Sequence, residues 1–408
     1  MSKTRSVHAL DALAFLAPDV QGGIGPFLVI FMSTALHWDA GRVGTVMFAS
    51  ALVGLLLQAP AGALVDQVRS MPRWIAGSLG VIALSVLAMA LLPTYPVILL
   101  GQSVIGVAAA IVAPALAAVS LGLVGRNHME LRLGRNAALT AAGTVTWAVS
   151  TGVIGHLFGP RSMFVYAIAM GIPAMIAALS IRNADIDAKL ARGADRDNET
   201  EGNTGGERWY DRRLIVLCVC AFLFHLANAA MLTLVAQQIS QVTGNRATLY
   251  MSASLVVTQL MTIGIGLAVG RFAQKLPRKP IFLVAFAVLP VRGLLYLTVH
   301  QPIALVALQV LDGIGAGIFG VMLILMIGDL TRGSGRFNLG QGIAATAVGA
   351  GAAFSNLLAG TVAKHAGYAS SFITLAAIAA LALALFASSM RETRVRKQMP
   401  EVSSVITV

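Results

Sequence analysis

The sequence predicts an all-α membrane protein in which twelve transmembrane helices form two related six-helix bundles. Of its 408 residues, 57% are hydrophobic and 11% are charged, and the mean hydropathy is +0.81. A water-soluble core of this length cannot bury so much apolar surface. The segment LGRNAALTAAG at 133–143 also returns as LGQGIAATAVG at 339–349, 206 residues later (339 − 133). The chain therefore uses one membrane-embedded unit twice.

Twelve apolar stretches are long enough to cross a bilayer as helices, for which about 20 residues suffice. They are rich in Ala, Leu, Gly and Val and lack the two-residue alternation of a barrel strand. In chain order they cover 11–36, 43–64, 74–93, 97–124, 137–158, 162–181, 214–238, 247–269, 280–299, 302–327, 340–362 and 369–389.

These spans divide the chain into four parts. Residues 1–182 are predicted to form an N-terminal six-helix bundle, and residues 213–390 a C-terminal one. The polar stretch 183–212, which has mixed charge and little to bury, is predicted to be a cytoplasmic linker between them. Residues 391–408 form a predicted cytoplasmic tail.

The net charge of +12 comes mainly from basic residues in the loops. Of the 29 Lys and Arg residues, four lie in loops opposite the N-terminus and one lies within a span, which leaves 24 on the side of the N-terminus. Such an excess marks the cytoplasmic side, so both termini are predicted to be cytoplasmic. The basic residues flank no aromatic platform, which argues against a nucleic-acid partner.

The sequence argues against an enzyme and against a bound metal or cofactor. No nucleophile–base set, phosphate-binding loop or cluster of metal ligands converges in the spans. Cys218 and Cys220 point about 200° apart on a helix, so they are predicted to be apolar packing residues.

The loop after the second span carries a family signature. It reads GALVDQVRSMPR, from Gly62 through Asp66 to Arg73, and resembles the loop 2–3 signature of the major facilitator superfamily. That signature usually has a basic residue at the position of Gln67 and a glycine at that of Arg69. The resemblance implies the twelve-helix fold of the superfamily, secondary transport, and a gating role for Gly62, Asp66 and Arg73.

Three further segments are similar to a poorly characterised bacterial branch of this superfamily. They are GIGPF at 23–27, which follows Asp19, LDGIGAGIFG at 311–320 and DLTRGSGRFN at 329–338. The resemblance implies a multi-pass protein of the bacterial cytoplasmic (inner) membrane. The glycine-rich Gly-Pro signature of antiporters is absent from the fifth span.

Four ionisable side chains lie away from the ends of the spans, deep enough in the membrane that each costs about 2.5–3.5 kcal/mol and needs a partner or a role. They are Asp19, His225, Arg292 and Asp312, and we expect proton coupling to involve them. Asp19 lies in a helix loosened by prolines and glycines; the alternative is a carboxylate that only binds freed backbone donors. The repeat places His225 at the position of Asp19, where a packing histidine is the alternative.

Arg292 and Asp312 are expected to meet, because spans 9 and 10 run antiparallel and place them roughly 10 Å and 15 Å from the same face. One interpretation is a structural ion pair that joins the two spans. The other is a pair that opens when Asp312 takes up a proton.

Four amides are candidates for contact with a solute: Gln58, Gln102, Asn228 and Gln309. Gln102 and Gln309 are related by the repeat. Hydrogen bonding between helices is the alternative for these two.

Together these features predict a monomeric secondary transporter that moves a small organic solute across the lipid bilayer by alternating access. Protons are the expected coupling ion and efflux is the expected direction. Proton-linked uptake of a metabolite or chelate is one alternative. A transporter-like receptor or scaffold is another, and it predicts an appended soluble domain.

Overall fold

The computed structural model describes residues 2–22, 24–68, 70–125, 129–187, 191, 212–273, 276–331 and 337–393. Within these ranges the chain is helical and contains no strand. Most of the predicted linker and tail lie outside the described residues, so these two parts stay predictions.

Thirteen helices of six residues or more run through the described ranges. In chain order they are α1 (Ser2–Gly22), α2 (Ile24–Thr34), α3 (Ala40–Gln67), α4 (Met71–Leu91), α5 (Tyr95–Val124), α6 (Met129–Phe158), α7 (Ser162–Ser180), α8 (Arg212–Thr243), α9 (Ala247–Phe272), α10 (Arg278–Leu295), α11 (Pro302–Ala307), α12 (Gln309–Leu330) and α13 (Phe337–Ser389).

Nine stretches of these described helices are long and apolar enough to cross a membrane. One of them, Leu339–Ser389, has 51 residues, and α13 turns back within it at Gly367, whose φ of 84° suits glycine. Ser371 donates to the carbonyl oxygen of Ala359 at 2.9 Å across this turn. With the first crossing made by α1 and α2 and the ninth by α10, the described helices account for twelve crossings.

The two halves repeat the same close packing between their second and fourth crossings. A Cβ on Gly106 of α5 would come 2.5 Å from the carbonyl oxygen of Ser50 on α3, and one on Gly313 of α12 would come 2.7 Å from that of Thr258 on α9. The offsets are 207 and 208 residues (313 − 106 and 258 − 50). Small residues let these backbones approach closely, and the internal repeat therefore holds in three dimensions.

The halves contact each other at the end of the bundle opposite the N-terminus, which we call the closed end. There α3 packs against α13 and α6 against α9. A Cβ on Gly44 would lie 3.1 Å from the Cα of Gly360. Asp39 and Lys364 form an ion pair across this contact at 3.7 Å.

At the end where α1 begins, which we call the open end, the same helices stand apart. A Cβ added to Gly134 of α6, Gly264 of α9 or Gly342 of α13 would meet no atom within 4 Å. Leu267 and Leu339 are exposed there. The gap between the halves therefore opens toward one side.

Candidate functional site

Four helices of the second half meet at a partly buried group of polar residues, which we call the charged cluster. It consists of Arg292, Asp312, Asn228 and Thr258. Arg292 of α10 donates through Nη1 to Oδ1 of Asp312 on α12, the contact expected from the antiparallel spans. Its Nη2 donates to Oδ1 of Asn228 on α8 at 2.6 Å. Thr258 Oγ1 of α9 lies 3.4 Å from Oδ2 of Asp312.

The two members of the ion pair differ in exposure. The Arg292 side chain is 3% exposed and the Asp312 side chain 14%. The Nε of Arg292 is buried without a hydrogen-bond partner among the described atoms. Removing one partner of such a pair costs about 3–5 kcal/mol, because the other charge stays behind in apolar surroundings. The carboxylate is the more accessible member of the pair.

His225 lies on α8 three residues before Asn228, so the two share one face of the helix. Its ring packs edge-on against Phe319 of α12, with centroids 4.9 Å apart, and against Phe224 at 5.5 Å. These contacts fit the packing role that was the alternative for this histidine. Its part in proton coupling stays a proposal.

The charged cluster occurs in the second half only. At the repeat offset of 207 residues (309 − 102), Ser85 and Ile105 stand where Arg292 and Asp312 stand in the second half. The halves therefore share their helix packing but differ in buried charge. The first half has no ion pair at the matching positions, so coupling through Arg292 and Asp312 would involve the second half alone.

Gln102 and Gln309 occupy matching places, and both face a neighbouring helix. Nε2 of Gln102 lies 3.9 Å from Sδ of Met89, and Nε2 of Gln309 donates to the hydroxyl of Tyr296 at 3.1 Å. The two glutamines are 5% and 1% exposed. This placement fits the alternative, hydrogen bonding between helices, because each amide is enclosed by the helix packed beside it. A solute contact by these two amides stays a proposal.

The remaining candidates lie on α1, α3 and α4. Gln58 is exposed on α3, in its half toward the open end. Asp19 lies in α1 and Gly62 and Asp66 in α3, but their side chains are outside the described part of the chain. Arg73, at the start of α4, is exposed and lines two cavities of the first half.

Sequence reasoning missed an ion-pair group between α1 and α6. Nη1 of Arg132 donates to Oδ1 of Asp11 at 2.6 Å, and Nη2 of Arg135 donates to Oδ2 at 2.7 Å. Arg135 belongs to the first copy of the repeated segment. Arg132 and Arg135 are three residues apart and so share one face of a helix. This spacing is the feature of the sequence that could have indicated a shared acidic partner.

Cys218 and Cys220 are buried free thiols of α8. Among the residues that the structure describes, no three His, Cys, Asp or Glu side chains are grouped to hold a metal ion.

Comparison with known proteins covers nearly the whole chain. The sequence profile described as Major Facilitator Superfamily matches residues 10–299 and 217–404. The chain is also 37% identical over 393 residues to uncharacterized MFS-type transporters from two strains of Mycobacterium tuberculosis, CDC 1551 / Oshkosh and ATCC 25618 / H37Rv. These alignments cover 95% of this chain and 94% of each relative.

Solved structures share the fold at low sequence identity. The nucleoside transporter NupG matches with a TM-score of 0.75 at 14% identity, over 93% of this chain and 97% of its own. A bacterial homolog to the human lysosomal transporter Spinster, inward-facing and unoccupied, matches with a TM-score of 0.75 at 14% identity, over 94% and 96%. By its sequence profile and its relatives, the chain belongs to the major facilitator superfamily and is a membrane transporter rather than an enzyme.

Proposed function

We propose that the chain exports a small organic solute in exchange for protons, by alternating access between its two halves. The observation that carries the proposal is the one-sided contact between the halves, which meet around Asp39 and Lys364 and stand apart around Gly134 and Gly342. In this arrangement a solute between the halves reaches one side of the membrane. It reaches the other side once the closed end separates and the open end closes.

The open end is proposed to face the cytoplasm. It is the end where α1 begins, and the excess of basic residues on the side of the N-terminus supports this orientation. In it, the described conformation is the one in which an exporter takes up its solute and an importer releases it.

Asp19 is the proposed proton carrier. It follows Pro18 in a crossing that also contains Pro26, and a carboxylate in a loosened helix can be hydrated in one conformation and desolvated in the other. The alternative coupling site is Asp312 with Arg292 and His225. There, protonation of Asp312 would release Arg292 and separate α10 from α12.

Of the four amides proposed as solute contacts, Gln58 and Asn228 are the more accessible. Gln58 is exposed in the half of α3 toward the open end, and Asn228 lies on α8, which packs against α2 of the other half. Amides both donate and accept hydrogen bonds, so they suit a polar organic solute.

Everted membrane vesicles that contain the chain test coupling and direction together. Respiration generates a proton gradient, a dye reports it, and ethidium, uridine and desferrioxamine are added in turn as an organic cation, a nucleoside and a chelate. Export predicts that a transported solute accumulates in the vesicles and dissipates part of the gradient. Accumulation in right-side-out vesicles instead would show uptake, and binding without movement in either orientation would favour a receptor or scaffold.

Asp19→Asn tests the proton carrier in the same vesicles. The amide mimics the protonated carboxyl group at the same size, so we expect gradient-driven accumulation to be lost while solute exchange stays measurable. Asp312→Asn is the matched variant. Full accumulation by Asp19→Asn would remove it as the carrier, and loss of coupling in Asp312→Asn alone would move the site to α12.

A further inference from the structure

An apolar groove runs along the first half between α4 and α5. It has a volume of about 480 Å³, and its walls include Trp74, Gly77 and Val81 of α4 and Val104 and Ile111 of α5. Several of these side chains are exposed although they are large and apolar. α4 packs mainly against α5, α7 and α1, all in the first half. The groove therefore lies on the outside of the bundle, where lipid is the solvent, and not in the gap between the halves.

The groove ends at a polar pocket near the open end of the bundle. Arg73 lines the groove and also this second cavity of about 460 Å³, to which Ser70, Arg182 and Asn183 contribute. Arg73 and Arg182 are exposed, and among the described residues neither forms an ion pair. The carboxylate of Asp185, three residues after Arg182, accepts a hydrogen bond from Ser6 at 2.6 Å. Two guanidinium groups thus border one pocket, and within the part of the chain that the structure describes neither has a counterion.

The length of the groove matches part of a lipid tail. Arg73 and Val81 are eight residues apart, about 12 Å along a helix, and one leaflet of the hydrocarbon core is about 15 Å thick. The apolar walls of the groove lie at the depth of the acyl chains of one leaflet. Arg73 and Arg182 lie at the depth of its headgroups. Arginine binds phosphate oxygens through paired N–H donors, and basic pockets at membrane helices attract anionic headgroups.

We propose that this groove binds an anionic phospholipid, with an acyl chain along α4 and α5 and the phosphate between Arg73 and Arg182. The arginines favour a headgroup with net negative charge over a zwitterionic one, whose own cation offsets the phosphate. The groove favours a lipid over a soluble phosphate, because a soluble ligand leaves the apolar walls unfilled.

Native mass spectrometry of the purified full chain, released from detergent, measures the binding. The probes are dioleoylphosphatidylglycerol, dioleoylphosphatidylcholine and glycerol 3-phosphate, each at the same concentration. We expect phosphatidylglycerol to be retained in preference to phosphatidylcholine, and glycerol 3-phosphate not to be retained. Equal retention of the two lipids, or retention of glycerol 3-phosphate at the level of phosphatidylglycerol, would overturn the proposal.

Three variants separate the headgroup from the tail. The double variant Arg73→Gln/Arg182→Gln is expected to weaken phosphatidylglycerol binding about 30-fold and to leave phosphatidylcholine unchanged. Gly77→Phe is expected to weaken both lipids, because a Cβ there meets no atom within 4 Å and a ring can enter the groove without moving the backbone. Arg391→Gln, at an exposed arginine of the same end, is the control and should match the wild type.

The melting temperature of each variant is measured alongside lipid binding. Binding is compared among variants that melt at the wild-type temperature, so that a folding defect is not mistaken for a loss of lipid. If the double arginine variant and Gly77→Phe both bind phosphatidylglycerol as the wild type does, the lipid binds elsewhere and the proposal is overturned.

Discussion

Arg292 shows how a single charge is accommodated inside a membrane bundle. It donates to Asp312 on one neighbouring helix and to Asn228 on another. Removing one charge leaves the other in apolar surroundings, whereas replacing both with apolar residues of similar size removes the uncompensated charge altogether. The stability effects of the two residues are therefore expected to be strongly non-additive.

Asp312→Leu is expected to lower the free energy of unfolding by about 3–5 kcal/mol, since Arg292 keeps its charge without a counterion. The double variant Arg292→Met/Asp312→Leu is expected to recover most of that loss. Melting temperatures in detergent measure the stability of the single and the double variant. Asp39→Asn, which removes one charge of an exposed ion pair, is the control, and its melting temperature should stay near that of the wild type. A wild-type melting temperature for Asp312→Leu, or additive losses in the double variant, would contradict this account of the pair.

Helix crossings depend on glycine at matching places in the two halves, and Gly313 allows a test. We expect Gly313→Ala to lower stability by about 1–3 kcal/mol, because its Cβ would press on the backbone of α9. Gly264→Ala, at a helical position with open space, is the control and is expected to raise stability by about 0.5–1 kcal/mol. Thermal unfolding of the two variants compares them directly; equal shifts would mean that close packing does not limit this crossing.

The positions of the helices could be predicted from the sequence, but the directions of their side chains could not. The predicted spans 74–93 and 97–124 agree with α4 and α5 to within a few residues, because length and hydropathy define a crossing. That Gln102 faces Met89 could not be predicted. The lipid-facing and helix-facing sides of a crossing are both apolar, so no polar stripe marks the packed side. The partners of Asp11 were missed because they depend on how α1 packs against α6.

For the molecule as a whole, the distribution of basic residues predicts cytoplasmic termini. Single cysteines at Thr200 and His300, in a chain with Cys218 and Cys220 replaced by serine, test this in intact cells. An impermeant thiol reagent is expected to label His300 and to spare Thr200. Labelling of Thr200 with protection of His300 would reverse the orientation and, with it, the side to which the open end faces.

The central claim is that the two ends of the bundle open and close reciprocally, and Gly360 of α13 provides the means to test it. A Cβ there would lie 2.6 Å from the carbonyl oxygen of Ala40 and 3.0 Å from the Cα of Gly44. Gly360→Val is therefore incompatible with the closed end as described. Gly342→Val, on the same helix but with no atom within 4 Å of its Cβ, is the matched control.

Double electron–electron resonance between spin labels in opposite halves measures both ends of the same protein. All four labelled positions are exposed, with Ala35 and Ala366 toward the closed end and Ala138 and Leu267 toward the open end. In the wild type we expect a short, narrow distance at the closed end and a long one at the open end. Gly360→Val should lengthen the first and shorten the second, while Gly342→Val keeps the closed end as in the wild type. If Gly360→Val lengthens the closed-end distance and leaves the open-end distance unchanged or longer, the halves do not alternate.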